Sequence, residues 1–132
     1  MLKVDREKCV YCKLCEEVCS FRFTDTVCPS VAAIRIGREG QWGLPFARVC
    51  NLCEGLGEQK CIAVCPVDAL SLGKKNGVVW DDQKCNRCQE CVGACPQQAI
   101  AFDEKGDRLI LCDLCGGQPL CIQWCPEDVI SL

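Results

Sequence analysis

A small α+β fold, organised around cysteine ligands rather than a large apolar core, is what three features of this 132-residue chain predict. Sixteen of its 17 cysteines fall into four successive groups of four, each closing with a C-x3-C step. Short apolar/polar alternations flank those groups, the period-two signature of brief strands. The length allows one ordinary domain or two very small ones, and units of roughly 60 residues bury too little apolar surface to fold robustly without a staple. About one residue in eight is cysteine, above the roughly 8–10% that marks a cysteine-built scaffold. Bound metal therefore has to supply much of the stability, and stripping it should unfold the chain.

Along the chain, Leu2-Lys3-Val4 reads as a strand leading into the first group, Cys9, Cys12, Cys15 and Cys19. The stretch from Ser20 to Val49 separates the first two groups by a longer interval than elsewhere and reads as an inter-domain connection. Within it Ala33-Ile34-Arg35-Ile36 alternates as a strand, and the run from Gly37 to Gly43 reads as a flexible loop. Its glycines make no dinucleotide fingerprint, because no strand-glycine-helix context surrounds them. The second group is Cys50, Cys53, Cys61 and Cys65; Glu58 to Cys65 can supply a short helix, which Pro66 helps to end. Strands are expected at Ala69–Leu72 and Val78–Trp80, with the turn Lys75-Asn76-Gly77 between them. The third group, Cys85, Cys88, Cys91 and Cys95, is followed by strands at Ala99–Phe102 and Leu109–Leu111, separated by Glu104-Lys105-Gly106. The fourth, Cys112, Cys115, Cys121 and Cys125, runs into a last strand at Val129–Leu132. The repeating unit is strand, ligand loop, short helix, strand.

The first and third groups have the spacing C-x2-C-x2-C-x3-C, in which three close thiolates hold one 4Fe-4S cluster and the fourth ligates its neighbour. The second and fourth widen the middle step, from Glu54 to Lys60 and from Gly116 to Leu120, which predicts bulging loops suited to docking. Three groups close in Cys-Pro, at Pro66, Pro96 and Pro126; the first closes in Cys19-Ser20. Zinc sites also use C-x2-C knuckles, but zinc ribbons seldom need the third close cysteine, so the pattern favours four 4Fe-4S clusters over four structural zincs. A disulfide framework fits less well, because no secretion signal accompanies the cysteines. Cys28 lies outside the groups; its Cys28-Pro29 dipeptide imitates the motif without a preceding C-x3-C, and it reads as a buried or free thiol. Trp42, Trp80 and Trp124 read as residues that pack against clusters and partner rather than as electron relays.

Histidine is absent, which excludes a Rieske-type centre, a histidine-ligated metal and a histidine-based triad. No P-loop, flavin or nicotinamide fingerprint is present. By this reading the chain is not an enzyme by itself. Its formal charge is −3, and four oxidised clusters would add roughly −8. That balance argues against nucleic acid and for a basic patch on a partner protein. The N-terminus lacks an apolar signal region and no apolar run reaches the roughly 18 residues of a membrane span, so no membrane insertion and a cytoplasmic location are expected.

The stretches Val49-Cys50-Asn51-Leu52-Cys53, Cys61 to Leu70 and Cys112 to Cys121 carry a family likeness. In them the chain resembles the four-cluster, ferredoxin-like electron-transfer subunits of molybdopterin and tungstopterin oxidoreductases. The segment Cys112 to Cys121, and Cys19 without a following proline, look most like the tungsten aldehyde oxidoreductase and benzoyl-CoA reductase branch. The resemblance implies one ferredoxin-like unit inserted into another, residues 1–38 with 105–132 outside and 39–104 within. It also implies four ligand sets: Cys9, Cys12, Cys15 and Cys125; Cys112, Cys115, Cys121 and Cys19; Cys50, Cys53, Cys61 and Cys95; and Cys85, Cys88, Cys91 and Cys65. Spacing alone leaves open a tandem pairing, first group with second and third with fourth. The implied function is to relay single electrons between a catalytic subunit, a tungsten or molybdenum pterin enzyme, and a ferredoxin, another carrier or a further subunit. A freely diffusing polyferredoxin and a structural cluster-binding module are the competing readings.

Overall fold

The computed structural model describes residues 1–132 and is a small α+β assembly of four two-stranded antiparallel ribbons and four short helices. Strand β1 (Lys3–Val4) pairs with β8 (Ile130–Ser131) and ties the two ends of the chain together. β2 (Arg35–Arg38) pairs with β3 (Pro45–Arg48), β4 (Leu70–Leu72) with β5 (Val78–Trp80), and β6 (Ala101–Asp103) with β7 (Arg108–Ile110). Isolated ribbons of this length are at best marginally stable in water, so each depends on what it packs against. Helices α1 (Leu14–Thr24) and α4 (Leu120–Gln123) pack together, as do α2 (Lys60–Val64) and α3 (Glu90–Ala94).

Two apolar cores result. The larger gathers Leu2, Val31 to Ile34, Ile36, Val49, Ile110, Leu114, Val129 and Ile130 with four cysteines; the smaller gathers Cys61, Leu70, Val78, Ile100, Leu109 and Leu111. Strand alternation joins them: Leu109 and Leu111 face the smaller core while Ile110 and Cys112 face the larger. Cys50 packs against both. The boundaries expected at 38/39 and 104/105 both fall inside hairpin turns, between β2 and β3 and between β6 and β7.

The expected strands are present, with β2 and β6 shifted toward the C-terminus by one or two residues. The connecting segment differs more. Helix α1 runs through Cys19, because Ser20 keeps the backbone N–H that proline would remove. It ends at Asp25, whose N–H donates to the Phe21 carbonyl at 2.8 Å. The chain then turns back: the Ser20 hydroxyl donates to the Glu17 carbonyl (2.9 Å) and accepts the Cys28 N–H (3.1 Å). Ala32, Ala33 and Ile34 arrive almost fully buried, so this segment is core rather than linker. The glycine run, read as a flexible loop, is instead β2 and an ordered turn. The Phe46 ring covers Gly37, where a Cβ would come within 2.4 Å of it, and a Cβ on Gly43 would meet the Glu39 carbonyl at 1.8 Å.

Candidate metal centres

The ligand loops repeat a backbone code. Tyr11 and Lys13 in the first group, and Arg87 and Gln89 in the third, occupy matching positions with φ near +60°. Leu52 with Cys53 and Leu114 with Cys115 do the same in the widened groups. Three residues after each Cys-Pro cysteine, Asp68, Gln98 and Asp128 all have φ of 51°. Left-handed backbone costs a non-glycine residue roughly 1–2 kcal/mol, and such strain is concentrated where a loop must present its groups to something bound. Alternating backbone hands turn successive N–H groups toward one side, a concavity that suits an anion.

Side chains fix these turns. The Asn51, Asn86 and Asp113 side-chain oxygens accept the N–H groups of Cys53 (3.0 Å), Cys88 (3.2 Å) and Cys115 (2.9 Å). Each is an Asx turn one residue past the first cysteine of its group. The first group has Val10 there and no such bond. Its loop is held from a distance: the Arg38 guanidinium lies 4.4 Å from the Tyr11 ring centre, and Arg6 donates to the Pro45 carbonyl at 2.8 Å.

Four cavities open between the loops, each ringed by four thiols. Cys9, Cys12, Cys15 and Cys125 line the first. Cys19, Cys112, Cys115 and Cys121 line the second. The third has Cys50, Cys53, Cys61 and Cys95, and the fourth Cys65, Cys85, Cys88 and Cys91. In every case three cysteines come from one group and the last from another. Cys28 lines none of them; it is exposed, in a separate polar surface hollow.

Backbone N–H groups point at the sulfurs. Ala69 donates to Cys65 and Ala99 to Cys95, each at 3.3 Å and each from four residues on. Lys60 donates to Cys53 and Arg87 to Cys85, both at 3.4 Å. Cys19 receives its bond from Ala33, at 3.3 Å and fourteen residues away. Hydrogen bonds to sulfur are a main control on the potential of an iron-sulfur centre.

Burial pushes the Cys15, Cys112 and Cys121 thiols up to about 12, and Cys61 and Cys91 up to about 11, by penalising the thiolate. At neutral pH the metal-free thiols hold their protons, and a metal has to displace them. No group of three or more Cys, His, Asp or Glu side chains is drawn together closely enough to hold a single metal ion. The quartets enclose space instead. Thiols spread around a hollow, with N–H donors aimed at sulfur, fit a multi-iron cluster and do not fit tetrahedral zinc, whose ligand sulfurs lie about 2.3 Å from one atom.

Each cavity adjoins the next. α1 against α4 brings the first beside the second, where Cys15 is electrostatically felt by Cys121. Cys112 of the second feels Cys50 of the third, and α2 against α3 joins the third to the fourth. Cys12 and Cys88 are exposed at the two ends, while Cys19, Cys112 and Cys121 are buried in the interior. The widened loops differ. That from Glu54 to Glu58 is exposed with Leu56 at its tip, whereas the Lys75 ammonium covers the other, donating to the Gly116 carbonyl at 2.8 Å. The first is exposed throughout, while the second keeps Gly116 and Gln118 exposed beside the lysine.

Two signals were in the sequence unread: Asn or Asp after the first cysteine of three groups, and alanine four positions after the closing cysteine of the second and third. The Ala33 contact and the buried carboxylate of Glu16 have no local signature.

The 4Fe-4S dicluster domain family matches residues 43–132, and a 4Fe-4S binding domain matches residues 2–22. Over 83 residues, 62% of the chain, it is 34% identical to the polyferredoxin-like subunit of an aliphatic sulfonate oxidoreductase from Pyrococcus furiosus. The chain spans less than half of that relative, 46%. Among solved structures it is similar to a chain of the active-site complex BamBC of benzoyl-coenzyme A reductase with benzoyl-CoA. That match has TM-score 0.54 and 20% identity, covering 99% of this chain and 76% of that one. The as-isolated complex matches with TM-score 0.53, 20% identity, and coverage of 99% and 74%. At this identity the likeness speaks for the fold. No helix is long and apolar enough to cross a membrane.

Proposed function

The chain belongs to the 4Fe-4S dicluster domain family and is an iron-sulfur electron-transfer protein, and we propose that it carries four clusters in a row as the relay subunit of a larger oxidoreductase. The observation that carries this reading is the set of four thiol quartets, each drawn from two groups. The ligand sets proposed are those quartets: Cys9, Cys12, Cys15, Cys125; Cys19, Cys112, Cys115, Cys121; Cys50, Cys53, Cys61, Cys95; and Cys65, Cys85, Cys88, Cys91. They correspond to the nested rather than the tandem pairing. The inserted unit proposed, residues 39–104, is bounded at the β2–β3 and β6–β7 turns, with Cys50 packing against both cores.

A bound 4Fe-4S cluster takes up and returns one electron with its charge spread over several metals and sulfurs. The chain's own part is to hold the thiolates, aim N–H groups at them and keep water out. Leu2, Ile34 and Leu114 line or pack around the second cavity, and Val78, Ile100 and Leu111 line the third. With Cys12 and Cys88 exposed at opposite ends, electrons have a surface at which to enter and another at which to leave.

The reading as a subunit is supported by apolar side chains that the fold leaves uncovered. Trp42 is 87% exposed at the β2–β3 turn, and Trp124, Leu56 and Val10 are at least half exposed. Scattered exposed apolar residues are ordinary, but a nearly bare tryptophan is a favoured interface anchor. The similarity of the chain to an oxidoreductase subunit and to a reductase complex supports a catalytic partner, and a tungsten- or molybdenum-pterin enzyme is our proposal for it. A freely diffusing polyferredoxin is the second reading, favoured by exposure at both ends. Anaerobic purification from the native source separates them: co-purification of a catalytic subunit in fixed ratio is expected, and recovery of a lone redox-active monomer would contradict it. For the ligand sets, Cys19→Ser should perturb the cluster held by Cys112, Cys115 and Cys121; a change in the one held by Cys50, Cys53 and Cys61 would point to tandem pairing.

A further inference from the structure

Buried charge is distributed unevenly among the four cavities. Glu16 and Asp103 are the only charged residues fully buried in the fold, and Asp103 faces the Arg108 guanidinium at 3.5 Å, away from the thiols. Glu16 is different. It is 2% exposed, sits next to Cys15 on α1, and its carboxylate accepts the N–H of Ile36, a residue lining the first cavity. Glu16 stands just behind the lining of the first cavity, whose own charged residues are Lys13 and the exposed Glu127. The Lys13 ammonium lies 4.0 Å from Glu16 but is 41% exposed, so water screens it, and Arg35 of β2 is within electrostatic reach of the carboxylate. No charged side chain lines the third cavity. At the second, Arg22 and Asp113 pair at 2.7 Å and largely cancel. The charged residue lining the fourth is Arg87.

We propose that Glu16 lowers the potential of the first cavity: its buried carboxylate opposes the extra negative charge of reduction there and makes a cluster at that site harder to reduce than it would be without that charge. The inference rests on a cluster being held by Cys9, Cys12, Cys15 and Cys125. Reduction adds one electron, supplied by a one-electron donor at the protein surface, and takes up no other charge. Two like charges a short distance apart in a medium of low effective dielectric repel far more than across water. Glu16 is a positioning and charge-setting residue, since it touches the ligand loop and the β2 backbone rather than the iron. Its amide isostere keeps an acceptor for the Ile36 N–H and removes only the charge.

The test is an anaerobic redox titration with dithionite, followed by electron paramagnetic resonance, on the holoprotein and two variants with iron measured in each. Glu16→Gln should keep full iron and raise the potential of one cluster by on the order of tenfold in its one-electron equilibrium, about 59 mV. Lys13→Met should move the same cluster the other way, by less. Removing opposite charges beside one cavity should shift its potential in opposite directions. Full iron with no shift in Glu16→Gln, shifts of one sign in both variants, or iron loss in Glu16→Gln alone would each overturn the proposal. A wild-type protein lacking iron at Cys9, Cys12, Cys15 and Cys125 would instead remove the ligand assignment on which it rests.

Discussion

The first and third cysteine groups share one spacing but not one means of support. In the third, the ligand turn and the sulfur bond are local: Asn86 closes an Asx turn on Cys88, α3 stops before Cys95-Pro96, and Ala99 returns its N–H to the Cys95 sulfur, with Arg87 adding an exposed pairing to Asp107. In the first, Val10 stands where the Asx residue would be, α1 runs on past Cys19, and the N–H that reaches the Cys19 sulfur comes from Ala33 after a buried detour. The loop of the third group closes mainly on itself, and its one distant tie, Arg87 to Asp107, lies at the surface. That of the first is held by Arg38 on Tyr11, Ile36 on Glu16 and the Ser20–Cys28 bond, all delivered by the segment after it. The same spacing can thus be stabilised by the chain's local turns or by its tertiary core, and the larger core lies beneath the second kind.

The comparison breaks most sharply if the third group's ending is written into the first. Ser20→Pro should remove an N–H from the middle of α1 and the acceptor of the Cys28 N–H, costing about 3 kcal/mol or more. The denaturant midpoint followed by loss of visible cluster absorbance checks it, and a neutral result would show that α1 need not continue past Cys19. Ile34→Ala comes next. Ile34 is almost fully buried beside the second cavity, and truncation should cost about 2–5 kcal/mol, with hydrogen exchange rising across α1 and β2 before β4 and β5. Equal loosening of both cores would contradict the separation drawn here. Asn86→Ala should cost about 1 kcal/mol and speed iron loss at the fourth cavity. The reciprocal change, Val10→Asn, offers the first group the turn it lacks and should slow iron loss at the first cavity by a comparable or smaller amount.

The raised thiols give a further, smaller prediction for the metal-free chain. Because folding lifts the Cys15, Cys112 and Cys121 thiols from 9.0 to about 12, the folded state holds protons that the unfolded state releases. Whatever structure survives iron removal is therefore fully supported below pH 9 and is lost as the pH rises from there toward 12. Circular dichroism of the metal-free protein across that range checks the sign.

How much of this was legible in the sequence follows the same division. Spacing, proline and alternation are local signals, and they located the four groups, the short helices ending at Cys-Pro and the paired strands. Which thiols share a cluster was not legible from spacing, which left the tandem alternative open; the nested sets came from the family likeness and are proposed here as ligands. The connecting segment was misread because its determinants are distant. Glycines at 37, 40 and 43 look like a flexible loop until the Phe46 ring is placed over Gly37 and the Glu39 carbonyl over Gly43. Ala32, Ala33 and Ile34 look like part of a linker until the α1 C-terminus folds them under Cys19. A single carboxylate in a helix full of cysteines carries no sign that it will be buried. Asn51, Asn86 and Asp113 were the exception: a local signal present three times.

The central claim is that four clusters lie in a row, each held by three cysteines of one group and one of another. An anaerobic crystal structure with anomalous scattering at the iron edge tests it directly. The account predicts four iron-rich peaks, centred on the quartets that include Cys125, Cys19, Cys95 and Cys65 as their crossing ligands. Single-metal peaks, or peaks bounded by Cys65 with the first group and Cys125 with the third, would contradict it.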